Sequence, residues 1–133
     1  MRRGNQVILL ALILLAIVSC DEEIFGPRSL EGTWRVTEES DAFGPQNFPV
    51  GIEYFPGDSS RVIIDNFSNL GLGFEVTANV SDLNITIPQQ TVRDANLNSY
   101  RISGNGNATS NLRRINWSYV IDSDDYTAVF EKQ

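Results

Sequence analysis

The feature that most constrains the fold is an alternation of apolar and polar residues with a period of two. It begins near Leu30 and continues to the end of the chain, with turn-forming residues interrupting it roughly every 8 to 15 positions. Successive side chains of a β-strand point to opposite faces, so this period is typical of strands with one buried face. No stretch beyond Leu30 shows helical periodicity of useful length. The sequence therefore predicts an all-β domain.

The clearest predicted hairpin spans residues 73–88. Its inward positions are Phe74, Val76, Ala78, Val80, Leu83, Ile85 and Ile87, with Ser81 and Asp82 forming the turn. Eight strands are predicted in all, at 31–39, 50–55, 61–67, 73–80, 83–88, 100–108, 112–121 and 126–132. Because most connections are short, an eight-stranded antiparallel up-and-down barrel is the expected fold, which leaves no sheet edge free. A two-sheet sandwich is the alternative.

The first 19 residues have the pattern of a secretory signal peptide, expected to form a signal helix. Two arginines precede an apolar run from Val7 to Val18, and the small residue Ser19 follows it. The run has 12 residues, about 18 Å as a helix, which is too short for a bilayer core of about 30 Å. The expected organisation is a signal peptide at 1–19, a tether at 20–29 and one domain at 30–133.

Cys20 is the only cysteine, and it follows the residues Ile17-Val18-Ser19. This stretch resembles the lipobox of bacterial lipoproteins, in which the cysteine is acylated and becomes the first residue. An ordinary signal peptide ending near a buried structural cysteine is the alternative, but the acids Asp21, Glu22 and Glu23 disfavour burial. Several acyl chains would anchor the protein stably to a membrane.

Charge and composition exclude several function classes. After cleavage, eight basic residues would face 17 acidic ones, so the surface would repel nucleic acid. The sequence has no histidine, which removes histidine-dependent triads and histidine-ligated zinc sites. We predict no catalytic residues, no metal site and no cofactor, and hence a protein that is not an enzyme. A hydrolase would need two carboxylates facing each other across a cleft at about 5 to 9 Å. Glu38, Glu39 and Asp41 are expected to be solvated at a strand end.

Three parts of the chain together resemble the small lipocalin-like (calycin-like) lipoproteins of the Bacteroidota. They are Gly32-Thr33-Trp34, the residues "IDNFSNLG" and "VTANVSDLNITIPQQ" within 64–90, and "ISGNGNATSNLRRINWSYVI" at 102–121. The resemblance implies a lipocalin-like barrel held at the outer membrane by its lipid. It also implies that Asp21, Glu22 and Glu23 are an export signal to the cell exterior. By the same resemblance, Trp34 packs across one barrel end under an arginine, and Arg113 is the candidate for that partner.

Aromatic residues suggest a binding site at a barrel mouth. The expected ligand-lining residues are Tyr54, Tyr100, Trp117 and Tyr119, whose rings are suited to stacking on a sugar or holding an apolar molecule. The leading interpretation is thus a surface-anchored barrel that binds a small molecule. The alternative is a filled barrel that binds a surface protein, as an inhibitor or accessory subunit, through loops at 41–49 and 104–111.

Overall fold

A computed structural model of the chain describes residues 29–133. The predicted signal peptide, Cys20 and the acids at 21–23 lie outside these residues. Eight strands follow in order: β1 (Gly32–Ser40), β2 (Gln46–Phe55), β3 (Asp58–Asp65), β4 (Glu75–Ser81), β5 (Asn84–Arg93), β6 (Ser99–Ala108), β7 (Arg114–Ile121) and β8 (Asp124–Lys132). A 3₁₀ turn, Phe67–Asn69, lies between β3 and β4. No helix within residues 29–133 is long and apolar enough to cross a membrane.

The strands form a closed antiparallel barrel in which each strand pairs with its neighbours in sequence. Closure is made by β1 and β8, where Trp34 lies opposite Lys132 and Ser40 opposite Tyr126. This pairing confirms the predicted up-and-down barrel and excludes the two-sheet sandwich. It also leaves none of the eight strands with an unpaired edge.

The period of two correctly predicted most of the buried face. The buried residues come from every strand and include Trp34, Val36, Val76, Ile85, Ile115, Trp117 and Phe130. Leu83 is an exception, because the turn is formed by Asp82 and Leu83 and the leucine is 39% exposed. The largest extensions beyond the predicted bounds are in β2, which begins at Gln46, and in β5, which continues to Arg93 through a bulge between Ile87 and Gln90.

Two inward-facing glycines of β6 make room for the aromatic residues of β7. Gly104 lies opposite Tyr119 and Gly106 opposite Trp117. A Cβ atom at Gly106 would lie 2.8 Å from the Trp117 ring, and one at Gly104 would lie 2.4 Å from the Tyr119 Cβ. The rings of Trp117 and Tyr119 therefore lie directly against the backbone of β6. A side chain at either glycine position would prevent this contact.

Up-and-down topology gives the barrel two distinct ends. The entry end, where the described chain begins, comprises residues 29–31, the turns at 56–57 and 82–83, the loop 109–113 and the C-terminal Gln133. The distal end comprises the loops 41–45, 66–74 and 94–98 and the turn 122–123. Whatever precedes Ser29 is thus joined to the barrel at the entry end, on the side opposite the distal loops.

Candidate functional site

The barrel interior is filled by side chains. One contiguous cluster of buried apolar residues draws on all eight strands, and Phe67 of the 3₁₀ turn covers its distal side with no exposed surface. The Phe67 ring packs against Tyr119 with centroids 4.7 Å apart, and Trp117 packs on Phe130 at 5.3 Å. Within the described chain, the interior is a packed core.

The four residues predicted to line a ligand site do not share a mouth. Tyr54 lies near the entry end of β2, whereas Tyr100 lies at the distal start of β6. Trp117 and Tyr119 are buried in the core between them, 4% and 3% exposed. The four rings therefore do not line one common pocket.

Trp34 is fully buried at the entry end, and the cation near its ring is Lys132 and not Arg113, the partner that the family resemblance implied. The Nε1 of Trp34 donates a hydrogen bond to the Leu30 carbonyl at 2.8 Å, and the Leu30 N–H donates to the Tyr54 hydroxyl at 3.3 Å. The ammonium of Lys132 lies 5.8 Å from the Trp34 ring centroid and donates to the Ser29 carbonyl. Lys132 therefore occupies the position expected for Arg113.

Arg113 does not face the interior as expected, because it precedes β7, which begins at Arg114, and lies in the loop before it. Its side chain is exposed in the loop 109–113, and its carbonyl accepts a hydrogen bond from the backbone N–H of Lys132 at 2.9 Å. Burial, together with the nearby charge of Arg113, lowers the pKa of Lys132. Arg113 thus affects Lys132 in two ways: its charge lowers the pKa of the lysine, and its carbonyl accepts the backbone hydrogen bond of the lysine.

Glu38 is the polar residue that the sequence interpretation missed. It follows Trp34 and Val36 on the inward parity of β1, and only 1% of its surface is exposed. Its Oε1 accepts hydrogen bonds from Gln46 Nε2 at 2.8 Å and Ser68 Oγ at 3.1 Å, and its Oε2 accepts one from the Tyr119 hydroxyl. The expectation of a solvated Glu38 is therefore wrong. The sequence feature that could have predicted its burial is its position on β1, two and four residues after the inward-facing Val36 and Trp34.

Burial, and after it the charge of Glu38, raises the pKa of two tyrosines. Burial, followed by the charge of Glu38, holds the pKa of Tyr119 far above its usual value. Tyr126 stacks on Tyr119 with centroids 5.8 Å apart and an interplanar angle of 18°. Burial and the charges of Glu38, Asp124 and Asp122 raise the pKa of Tyr126 as well. Both hydroxyls therefore lose their protons only at a higher pH than an exposed tyrosine does.

The distal loops carry exposed apolar side chains on hydrogen-bonded frames. Phe43, Leu72 and Leu97 are 63%, 89% and 75% exposed. The loop below Leu97 is held by Asp94, whose Oδ1 accepts from the N–H groups of Asn96 and Asn98, each at 2.9 Å. Leu97 itself has a φ of 65°, a strained conformation for a residue other than glycine.

Charge is distributed unequally between the two ends. The distal half carries nine acids and two arginines: Glu38, Glu39, Asp41, Asp65, Glu75, Asp94, Asp122, Asp124 and Asp125 against Arg93 and Arg101. The entry half is balanced, with Glu31, Glu53, Asp58, Asp82 and Glu131 against Arg35, Arg61, Arg113, Arg114 and Lys132. The ion pair within residues 29–133, Arg114–Glu131 at 3.3 Å, is exposed and lies in the entry half. The net negative charge of the described domain thus lies at the distal end.

Two open clefts lie near this acidic end. The distal cleft, about 360 Å³, lies at the barrel mouth and is lined by Glu38, Phe43, Gly44, Gln46, Ser68, Asn69, Leu70 and Tyr126. The outer groove, about 500 Å³, crosses the outside of the sheet between β5 and β1. Tyr126 lines both.

The loops expected to form one contact surface lie at opposite ends. Residues 104–108 belong to β6, and the loop that follows them, 109–113, is at the entry end. Residues 46–49 belong to β2, which leaves 41–45 as the distal loop.

In residues 29–133, no group of three or more potential metal-ligating side chains is found. The indole N–H of Trp117 is buried without a hydrogen-bond partner in the same part of the chain.

Comparisons with known proteins support the fold alone. The geometry defines an eight-stranded up-and-down barrel. The chain is similar to a solved structure described as a redesigned β-barrel, with a TM-score of 0.53 and 13% sequence identity over 78% of this chain and 91% of that one. A scan of protein-family models and a search of curated proteins return no match.

Proposed function

We propose that the protein is a non-enzymatic lipoprotein of the outer membrane that binds a protein partner at the cell surface through its distal end. The observation that carries this proposal is the opposition of the two ends. The chain enters the barrel at the charge-balanced end, whereas the acidic loops with exposed Phe43, Leu72 and Leu97 lie at the other. A lipid on the N-terminal segment would leave those loops free to meet a partner.

The filled interior favours a protein partner over a ligand in the lumen. Packed side chains already occupy the space that a lipocalin-like carrier would leave for its ligand. Contiguous apolar patches with a polar rim mark protein-binding sites, and we propose that the three exposed side chains contribute to one such patch at the distal end. An inhibitor or an accessory subunit of a surface complex fits this arrangement.

Membrane attachment is proposed to depend on Cys20. Replacing Cys20 by Ala removes the sulfur that carries the acyl chains, so the protein should leave the membrane fraction and lose metabolic palmitate label. The acids at 21–23 are proposed to direct export, and their replacement by Ser should retain the label but remove the protein from the reach of protease added to intact cells. A palmitate-labelled Cys20→Ala variant would contradict the anchor.

The partner surface is tested by photo-crosslinking in living cells. A photoreactive residue replaces Leu72 or Leu97 at the distal end, or Leu83 at the entry end as the matched control. All three are exposed leucines in turns or loops, with Leu83 39% exposed against 89% for Leu72 and 75% for Leu97. We expect a discrete crosslinked protein from the distal positions and none from Leu83. Equal crosslinking from both ends would refute distal binding.

A second candidate is a small molecule held in the interior, as the leading sequence interpretation expected. The unpartnered N–H of Trp117 favours it, since a ligand acceptor would satisfy a buried donor whose desolvation costs about 1–3 kcal/mol. Binding would require neighbouring rings such as Phe130 to move. This candidate predicts a ligand whose affinity falls on Trp117→Phe and is unchanged by distal substitutions.

A further inference from the structure

We propose that the distal cleft and the outer groove form one continuous track for an extended, positively charged peptide segment of the partner. This inference rests on the proposed function and names the chemistry of the partner. Tyr126 lines both clefts, so they adjoin at the distal end of β8, and a chain could pass from one to the other over the rim. The proposal thus commits to a basic peptide segment as the occupant.

The distal cleft presents a buried carboxylate that lacks an opposite charge. Glu38 is almost fully buried, and its three hydrogen-bond donors, Gln46, Ser68 and Tyr119, are all neutral. Burying an ionised group is unfavourable unless a charge of opposite sign compensates it. A lysine or arginine side chain entering the cleft would supply that charge, and the three donors already fix the orientation of the carboxylate.

The walls of the cleft suit a long side chain with a cationic tip. Phe43 stands exposed at the rim, Leu70 is partly buried, and Tyr126 forms a third wall. Lysine and arginine bury their apolar stems against such surfaces while the charged group reaches a polar partner. The rings of Phe43 and Tyr126 are also suited to cation–π contact.

The outer groove continues the same chemistry along the barrel wall. Its acids are Glu39, Asp41 and Asp125, and its remaining polar groups are hydroxyls and an amide from Ser40, Thr86, Ser103, Asn105, Ser118 and Thr127. Within residues 29–133, none of these acids has an ion-pair partner within 4 Å. Hydroxyls and amides bond peptide backbone groups, and the acids attract basic side chains.

Other occupants fit the track less well. Phosphate-bearing lipids and nucleic acids would meet the nine distal acids, which repel them. A metal ion would need a set of ligating side chains, and residues 29–133 do not bring one together. Charge complementarity therefore selects a cationic partner.

The test uses the full chain in non-ionic detergent and a fluorescent synthetic peptide in which lysine alternates with serine. A peptide of the same length with glutamate in place of lysine is the ligand control. Fluorescence anisotropy at low ionic strength should show saturable binding of the lysine peptide alone. Undetectable binding, or equal binding of both peptides, would overturn the proposal.

Two triple variants then locate the binding. Glu39→Gln with Asp41→Asn and Asp125→Asn removes three groove acids, and we expect about a tenfold weaker affinity. Glu31→Gln with Glu53→Gln and Asp82→Asn makes the same change in net charge in the entry half and should change affinity by less than about twofold. Equal losses in the two variants would mean non-specific charge attraction and would refute the track.

Glu38→Gln tests the cleft itself and should weaken binding by about tenfold or more. Because Glu38 is buried, the circular dichroism of the Glu38→Gln variant is compared with that of the wild type to establish that the variant folds. If it does not fold, the groove variants give an independent test, because they change solvent-facing residues. Unchanged affinity in folded Glu38→Gln would refute the role of the cleft. Distal crosslinks in cells without peptide binding would refute this inference alone, whereas missing distal crosslinks would refute the proposed function.

Discussion

Replacing Gly104 by Ala should destabilise the barrel severely, although alanine normally stabilises a strand relative to glycine. The added Cβ would lie 2.4 Å from Tyr119 Cβ, 2.7 Å from the Ser118 carbonyl oxygen and 2.8 Å from Tyr119 Cα. Carbon atoms in favourable contact are about 3.5–4.0 Å apart, so the first contact is more than about 1 Å too short. Two of the three obstructing atoms belong to the backbone of β7, which cannot rotate away as a side chain can.

We expect Gly104→Ala to lower the free energy of unfolding by about 3 kcal/mol, the upper part of the range for overpacked cores. For a domain of this size that corresponds to a fall in Tm of about 15 °C. Gly51→Ala is the matched control, because Gly51 lies within β2 and a Cβ there would meet nothing within 4 Å. That variant should be unchanged or more stable by about 0.5 kcal/mol.

The assay is thermal unfolding followed by circular dichroism, with urea unfolding of the same proteins. Gly106→Ala should fall between the two, because the three nearest atoms to its Cβ would be ring atoms of the Trp117 side chain, at 2.8–2.9 Å. If Gly104→Ala were as stable as Gly51→Ala, the close approach of β6 and β7 would be incorrect. The account of a filled interior would then fail with it.

Three further substitutions test the side chains around Glu38 and the entry end of the barrel. Because the pKa of Tyr119 is raised above its usual value of 10.0, its contribution to stability is complete below pH 10 and is lost as the pH rises further, by about 1.4 kcal/mol per pH unit. Above pH 10, the free energy of unfolding measured with urea should therefore fall less steeply with pH in Tyr119→Phe than in the wild type, by the slope that one proton contributes. An equal slope in the two proteins would contradict the buried hydroxyl. At the entry end, Lys132→Met should cost about 1 kcal/mol through lost contacts with Trp34 and Ser29. Arg113→Met should cost less than about 0.5 kcal/mol because that side chain is exposed, and the reverse order in thermal unfolding would restore the arginine to the place expected from the sequence.

The periodicity of the sequence predicted the strands, because alternation directly reports which face of a strand is buried, and the short connections between the strands predicted the barrel. It located Trp34, Val76 and Ile115 on the inner face correctly. It failed where alternation stops: Arg113 was counted as part of a strand that begins one residue later, at Arg114. Leu83 was likewise counted inward, although it belongs to a turn.

The position of the aromatic residues along the barrel was also implicit in the sequence. In an up-and-down barrel, the end of β2 and the start of β6 lie at opposite ends, so Tyr54 and Tyr100 are separated by the length of the barrel. Glu38 shares the parity of Trp34 and Val36, but an acid at a strand end was assumed to be solvated. Its three donors come from β2, the 3₁₀ turn and β7, and no local pattern predicts that these meet.

The distal loops show what a sequence pattern does not predict. Leu72 and Leu97 lie in segments without periodicity, and their exposure depends on how each loop is folded on its own hydrogen bonds. The Asn66 amide donates to the Pro49 carbonyl at 2.7 Å, and Asn66 Oδ1 accepts from the Gly71 N–H at 3.0 Å. Such contacts hold the loops in place and present their apolar tips to solvent.

The measurement that tests the central claim most directly is native mass spectrometry of the full chain, purified in non-ionic detergent after incubation with an extract of its own cells. A filled barrel that binds through its distal end should carry no non-covalent small adduct beyond the mass of its lipid anchor. Any added mass should be that of a protein, and it should be lost in the groove variant. A reproducible adduct of a few hundred daltons that persists in the groove variant and disappears in Trp117→Phe would contradict the account. It would establish instead a small molecule bound in the interior.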